Sequence, residues 1–315
     1  MKDKEERPEG PEPPKPETKA EGSKPEGKPE GEGKSTGGIT KRKEAEQFVD
    51  VQGIIPRLRV RIKLGHNVAF RGRTGTGKTF LISKLAQEQE KRLVVLNMTV
   101  NTTTDEIKGH YGPAPAGSGG QGLTVKWVEG ALAKAMKNGY WVVIEEANFM
   151  RDEVASALYS PMDHRRDLVI DEHEGEVIKA HPDFRLFLTM NWDYSGTQRF
   201  NPAIMNRINS WFDVDYLPPN QEAALIVQTT GIPRDVADKM CLFARKVRSA
   251  SMKENLPDLS TRILLDWGEV IKAGESPEDA AETSVIPILG YTEDEKAMPR
   301  ELLATIFGSK KYEDD

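Results

Sequence analysis

Among 315 residues there is a single cysteine, Cys241, so an internal disulfide is excluded. A lone thiol fits a reducing compartment. The helical apolar pattern around it, residues 236–244, suits a small buried side chain better than a nucleophile. No stretch approaches the ~20 consecutive apolar residues of a membrane span. The N-terminus lacks the apolar centre of a signal peptide, and the chain reads as cytoplasmic with no membrane contact. Histidine is also scarce. Five scattered copies give no zinc-ligand spacing, and no Ser/His/Asp arrangement has support from its context. Neither charge sign dominates. A net charge of −6 and a pI near 5.6 argue against a globally basic nucleic-acid binder while leaving room for a local patch.

Aromatic residues are missing altogether from residues 1–40, which are Pro, Glu, Lys and Gly with a repeated Lys-Pro-Glu-Gly unit. Such a composition cannot bury enough apolar area to offset the entropy of ordering. Residues 1–44 are therefore expected to be a disordered, nearly charge-balanced tail, acting as a solubilising spacer, a tether or a docking arm.

What is present begins with Gly72-Arg73-Thr74-Gly75-Thr76-Gly77-Lys78-Thr79, a full match to the phosphate-loop pattern G-x-x-x-x-G-K-[ST]. Its glycines allow a tight turn that aims backbone N–H groups at a phosphate chain. Lys78 would reach the β- and γ-phosphates, and the Thr79 hydroxyl would ligate Mg²⁺. Residues 67–70 read as a buried strand entering the loop. Phe80 opens a helical pattern, residues 80–86, whose N-terminus adds its positive dipole end to the anion site. A nucleoside triphosphate is the implied ligand.

From about residue 48 to residue 217, short apolar runs alternate with helical stretches, as βαβ units require. The runs 67–70, 93–97, 141–144, 186–189 and 211–214 suit parallel strands covered on both faces. Past Pro218-Pro219 the pattern becomes helical, through residues 221–229, 234–250 and 260–273. The expected organisation is an α/β nucleotide-binding unit over 45–217 and an all-helical lid over 218–315, hinged at the two prolines.

Trp141-Val142-Val143-Ile144-Glu145-Glu146 is an apolar strand running into two carboxylates. The first carboxylate, at the strand end, can hold Mg²⁺, and the second can polarise an attacking water. The strand over 184–190 ends in Asn191, which either orients that water opposite Glu146 or forms a turn. Arg207, in a helix opened by residues 199–203, is either a solvated cation or one that reaches a neighbouring subunit's γ-phosphate. Leu259-Ser260-Thr261-Arg262 opens a lid helix from which Arg262 could close over the nucleotide. His173, among Asp171, Glu172 and Glu174, reads as the solvated tip of a hairpin more readily than as a metal ligand. His181, ahead of a proline, shapes the chain. The Gly/Pro/Ser-rich run 112–122 reads as a loop feeding a hairpin: either a plain surface loop or a substrate contact. No Asn-Lys-x-Asp guanine-reading motif occurs.

Together these motifs resemble the AAA+ ATPases, and within them the MoxR group, in particular its CbbQ/NirQ-like, dynein-related branch. Residues 128–136 resemble that family's helix before the acidic strand. The hairpin over 168–180 running into His181-Pro182-Asp183-Phe184-Arg185 resembles its insertion before the sensor strand. Residues 288–295 resemble its C-terminal segment. The resemblance spans about residues 48–307. It implies that Gly72, Thr74, Gly75, Thr76, Gly77, Lys78, Thr79 and Phe80 bind ATP. Thr79 and Glu145 would hold Mg²⁺, Glu146 would be the catalytic glutamate and Asn191 the first sensor. Arg207 would be the arginine finger, with Arg199 one short loop earlier as the alternative, and Arg262 the second sensor. The family usually carries Asp where this chain has Glu145, a difference that bears on turnover rather than binding. A homo-hexameric ring is implied, with a protein client and a partner bearing a von Willebrand factor A domain. A DNA-associated motor and an ATP-switched assembly module with little turnover are the rival readings.

Overall fold

The computed structural model describes residues 49–115, 123–191, 200–254 and 257–308, all within one compact unit, Lys43–Asp315. The expected tail lies outside the described residues. In chain order the elements are α1 (Ile54–Lys63), β1 (Val68–Arg71), α2 (Lys78–Glu88), β2 (Leu93–Asn97), α3 (Thr104–Lys108), β3 (Gly109–Pro115), β4 (Leu123–Glu129), α4 (Ala131–Asn138) and β5 (Trp141–Glu145). Next come α5 (Asp152–Met162), β6 (Asp167–Ile170), β7 (Glu176–Lys179), β8 (Arg185–Met190), α6 (Pro202–Met205) and β9 (Ser210–Asp213). The chain then turns wholly helical, with α7 (Pro219–Thr230), α8 (Arg234–Glu254), α9 (Thr261–Ala273), α10 (Pro277–Ser284), α11 (Ile286–Leu289) and α12 (Glu293–Phe307).

Five strands form one parallel sheet in the order β2-β5-β8-β1-β9. All five coincide, within a residue or so, with the apolar runs of the sequence. Val142, Val143, Ile144, Leu186 and Leu188 are completely buried. At about 1.5–3 kcal/mol for each such side chain, this burial drives the sheet together. The expectation of strands covered on both faces fails at β2. Among the described residues it is an edge strand, and Val95 remains 49% exposed there.

One apolar cluster packs α4, α5 and the hairpins against one side of the sheet, and a second packs α1 and α2 against the other. A third, around Trp267, Phe243 and Leu264, belongs to the helices after residue 218. Pro219 occupies the first turn of α7, where its missing N–H costs no helical bond. Two hairpins stand outside the sheet, β3-β4 and β6-β7, each antiparallel. The second was expected from the pattern over 168–180. For the first, residues 112–115 are strand, and 116–122 lie outside the described residues. Among the described residues no helix is long and apolar enough to cross a membrane.

Candidate functional site

Register brings the chemistry together. Ile144 lies beside Leu188, and Arg71 beside Met190, so β5, β8 and β1 end at one level. The residues at and just past these strand ends, Glu145-Glu146, Asn191 and the phosphate loop, must then cluster at the C-terminal edge of the sheet, where ligands of open α/β folds sit. Gly72 N–H donates to the Met190 carbonyl at 3.3 Å and ties loop to strand. Gly72 also lies against the chain just past β9: a Cβ there would come within 1.9 Å of the Val214 carbonyl oxygen.

Gly77, left-handed at φ 86°, launches α2 without a side-chain cap. The N–H groups of Lys78, Thr79 and Phe80 therefore lack intrahelical acceptors and form, with the helix dipole, a donor cradle for an anion. The Lys78 ammonium donates to the carbonyls of Gly72 and Arg73, at 2.9 and 2.8 Å, and to Asn191 Oδ1 at 2.8 Å. Asn191 Nδ2 in turn donates to Glu146 Oε1 at 2.6 Å. Thr79 Oγ1 is hydrogen-bonded to Glu145 Oε1 alongside. Glu146 sits at φ 52°, a left-handed conformation that costs a non-glycine residue about 1–3 kcal/mol and is found where a site demands it. Its Oε2 is buried without a protein partner.

Burial shapes the charges. It lowers the Lys78 ammonium to about 8, against the pull of Glu146 and Glu145. The Glu146 carboxyl is raised, first by burial, with Lys78 and the Asn191 hydrogen bond opposing. Arg262 is exposed and follows Ser260, the N-cap residue of α9 that lies against Gly75, so its backbone stands near the loop, and its charge also disfavours the Lys78 cation.

A triphosphate and Mg²⁺ fit this donor set. The cradle supplies N–H groups and an ammonium, while Thr79 and Glu145 are hard oxygen donors. Mg²⁺ characteristically takes one or two protein oxygens and fills the rest from phosphate and water. Among the described residues no cluster of three or more His, Cys, Asp or Glu side chains could cage a metal. His173 lies in the turn between β6 and β7 as expected, beside exposed Asp171, Glu172 and Glu174, but is itself only partly solvated, because its ring packs on Trp127, with centroids 4.7 Å apart. His181 shapes its turn as expected, accepting from Asp183 N–H at 3.1 Å.

Arg207 stands apart from this group. It lies beyond the end of α6 rather than within a helix, because the four-residue turn capped by Asn201 closes at Asn206. Its guanidinium donates to the Tyr159 and Ala203 carbonyls, both at 3.0 Å, and covers the Tyr159 ring at 4.7 Å. Its carbonyl accepts from Asn67 just ahead of β1, so its backbone sits at the end of the sheet opposite the loop. Arg199 lies outside the described residues. Residues that no local motif announced also touch the loop. Asp258 is ion-paired with Arg73, and the Tyr216 hydroxyl donates to the Thr74 carbonyl at 3.1 Å. Arg73 and Tyr216 also line a cavity of about 200 Å³, together with Leu217, Pro219, Cys241 and Arg248.

Two family models match the chain in tandem: the AAA domain of the dynein-related subfamily over residues 67–208, and the CbbQ/NirQ/NorQ C-terminal domain over residues 222–306. The chain belongs to the MoxR-type AAA+ family, in its CbbQ/NirQ-like branch. Among curated AAA+ relatives, Protein CbbQ of Hydrogenophilus thermoluteolus is 26% identical over 239 residues, covering 75% of this chain and 86% of the relative. Midasin of Dictyostelium discoideum is 30% identical over 199 residues, 62% of this chain but 3% of midasin, so the chain corresponds to a small part of that protein. A RuvB variant of Thermotoga maritima shares the AAA+ fold at a TM-score of 0.50 and 15% identity, over 81% of this chain and 70% of its own.

Proposed function

We propose that this chain hydrolyses Mg²⁺-ATP within a homo-hexameric ring and uses the cycle to remodel or activate a partner protein. The observation that carries this reading is the hydrogen-bonded line Lys78–Asn191–Glu146 with Thr79–Glu145 beside it. When bound by Thr79 and Glu145, Mg²⁺ would neutralise charge on the phosphates. Lys78 and the loop N–H groups from Gly75 to Phe80 hold the phosphate chain. Glu146, its carboxyl raised by burial, takes the proton of an attacking water that Asn191 orients. Arg262 approaches from the lid, for which 218–315 is the proposed extent, with Pro218-Pro219 as the hinge. Arg207 serves a neighbouring subunit, for which its guanidinium must leave the Tyr159 and Ala203 carbonyls. Similarity to CbbQ motivates a protein client and a von Willebrand factor A-domain partner, met in the cytoplasm.

A switch with little turnover is the second reading, favoured by Glu145, one methylene longer than the aspartate usual at that place. Steady-state phosphate release across protein concentration separates the two. Turnover per subunit should rise with concentration, and it should fall at least a hundredfold in Glu146→Gln and in Arg207→Ala, on the order of what a lost base or finger removes. Binding of ATP with no release at any concentration would favour the switch. Stimulation by DNA rather than by protein would replace the remodelling reading with a nucleic-acid motor.

A further inference from the structure

The outer half of the phosphate loop is gripped by a segment that ends at Arg262. Arg73 is ion-paired with Asp258, and the two side chains are only 20% and 17% exposed. The Thr74 carbonyl accepts from the Tyr216 hydroxyl, and the Tyr216 ring lies under the Arg248 guanidinium at 3.7 Å. Arg248 Nε then donates to the Leu259 carbonyl at 2.7 Å. Gly75, at φ +72°, lies so close to Ser260 that a Cβ would sit 2.5 Å from the serine Cβ. Thr261 Oγ1 donates to buried Glu222 at 2.6 Å, and Glu222 holds Arg248 through both oxygens. Four successive residues, 258 to 261, are each fixed, three of them to the loop directly or through Tyr216 and Arg248.

Arg262 comes next in the chain. It stands on the first turn of α9, whose N-terminus Ser260 caps by accepting from Ile263 N–H. An arginine there has a fixed base and a mobile tip. Where the tip can reach is set by how α9 stands over the loop, and so by the contacts at 258–261. The Tyr216 phenol, raised well above its ordinary value by burial and by the Asp258 charge, stays protonated and remains a donor in this arrangement.

We propose that Asp258 is a positioning residue. Through its ion pair with Arg73 it holds Arg262 at a set distance from the phosphate loop, and so sets how strongly the site distinguishes a nucleoside triphosphate from its diphosphate. The inference rests on the nucleotide-binding reading above. A merely structural role would weaken both nucleotides alike, whereas a positioning role acts where the terminal phosphate lies.

The test measures dissociation constants for ADP and ATP, with Mg²⁺, by displacement of a fluorescent ADP. All proteins carry Glu146→Gln so that ATP persists. Asp258→Asn should shrink the ADP-to-ATP ratio of dissociation constants by about fivefold or more, toward the ratio of Arg262→Ala, a change of the size typical of coupling between sites. ADP affinity should stay within about twofold, and Asp258→Glu should restore the ratio. Tyr216→Phe, which removes one hydroxyl from the same grip, should shift the ratio the same way by less. It decides the matter should Asp258→Asn fail to fold. An unchanged ratio, or equal loss for both nucleotides, overturns the inference. A parent protein that binds neither nucleotide sinks the functional reading itself, and this inference with it.

Discussion

Two glycines of the phosphate loop combine a positive φ with a close approach, Gly75 against the Ser260 side chain and Gly72 against the backbone of Val214, just past β9. The atom that a Cβ at Gly72 would strike is a backbone carbonyl, which cannot swing aside, so β1 and β9 would have to separate. Gly72→Ala should therefore cost about 2–4 kcal/mol, the range of overpacking and backbone strain combined, and read as a lowered urea midpoint with an unchanged slope. An alanine tolerated within about 0.5 kcal/mol would mean that the strands part freely. Cys241 offers the opposite case. It is 2% exposed, and burial pushes its thiol up to about 12, so it should resist alkylation near neutral pH until the protein unfolds. Rapid labelling of the folded chain would contradict that burial. At this scale legibility followed contiguity. The loop, Glu145-Glu146 and the strand end at Asn191 could be read because each motif is local and has its own chemistry. The Arg73–Asp258 pair joins residues 185 positions apart, and neither carries a local signature.

Elements were legible where one period dominated. The five sheet strands stood out as short apolar runs. Helices α10 to α12 did not, because the first two are only eight and four residues long and Pro299 lies inside the third, although the Thr292/Glu295 capping box marks where the last begins. The two hairpins show what a sequence reading cannot supply: their contact with each other. Trp127 of β4 meets the ring of His173, in the turn between β6 and β7, and Tyr111 of β3 packs on both. Lys137 adds ion pairs to Glu129 and Glu176, one on each hairpin. Half-exposed pairs of that kind contribute little, so the rings dominate the joint. Trp127→Ala removes ring contacts of about 0.5–1.5 kcal/mol each. Amide exchange over 167–179 should then speed by about two- to tenfold, while β1, β5 and β8 keep their protection. Exchange unchanged over 167–179 would show that the hairpins stand independently.

For the whole molecule, the question is whether sheet and helices form one cooperative unit or two. The apolar cluster around Trp267, Phe243 and Leu264 is separate from those flanking the sheet, and Glu222 sits within the helical part at 1% exposure. That carboxylate ties α7 to Arg248 of α8 and to Thr261 of α9. Removing it leaves the Arg248 cation, with its side chain 12% exposed, without its buried partner, a loss of about 3–5 kcal/mol. Glu222→Gln keeps the shape and part of the hydrogen bonding, so it should cost less. If the helices after residue 218 are a unit of their own, Glu222→Ala should destabilise them selectively. Amides of α7 to α9 would then lose protection at lower urea than those of β1, β5 and β8, and circular dichroism would show two steps where the parent shows one. Simultaneous loss of protection everywhere would mean that the grip at 258–261 welds the parts into a single unit. The proposed turning of a lid over a nucleotide would then require breaking that grip, and the proposed hinge at Pro218-Pro219 would not act freely.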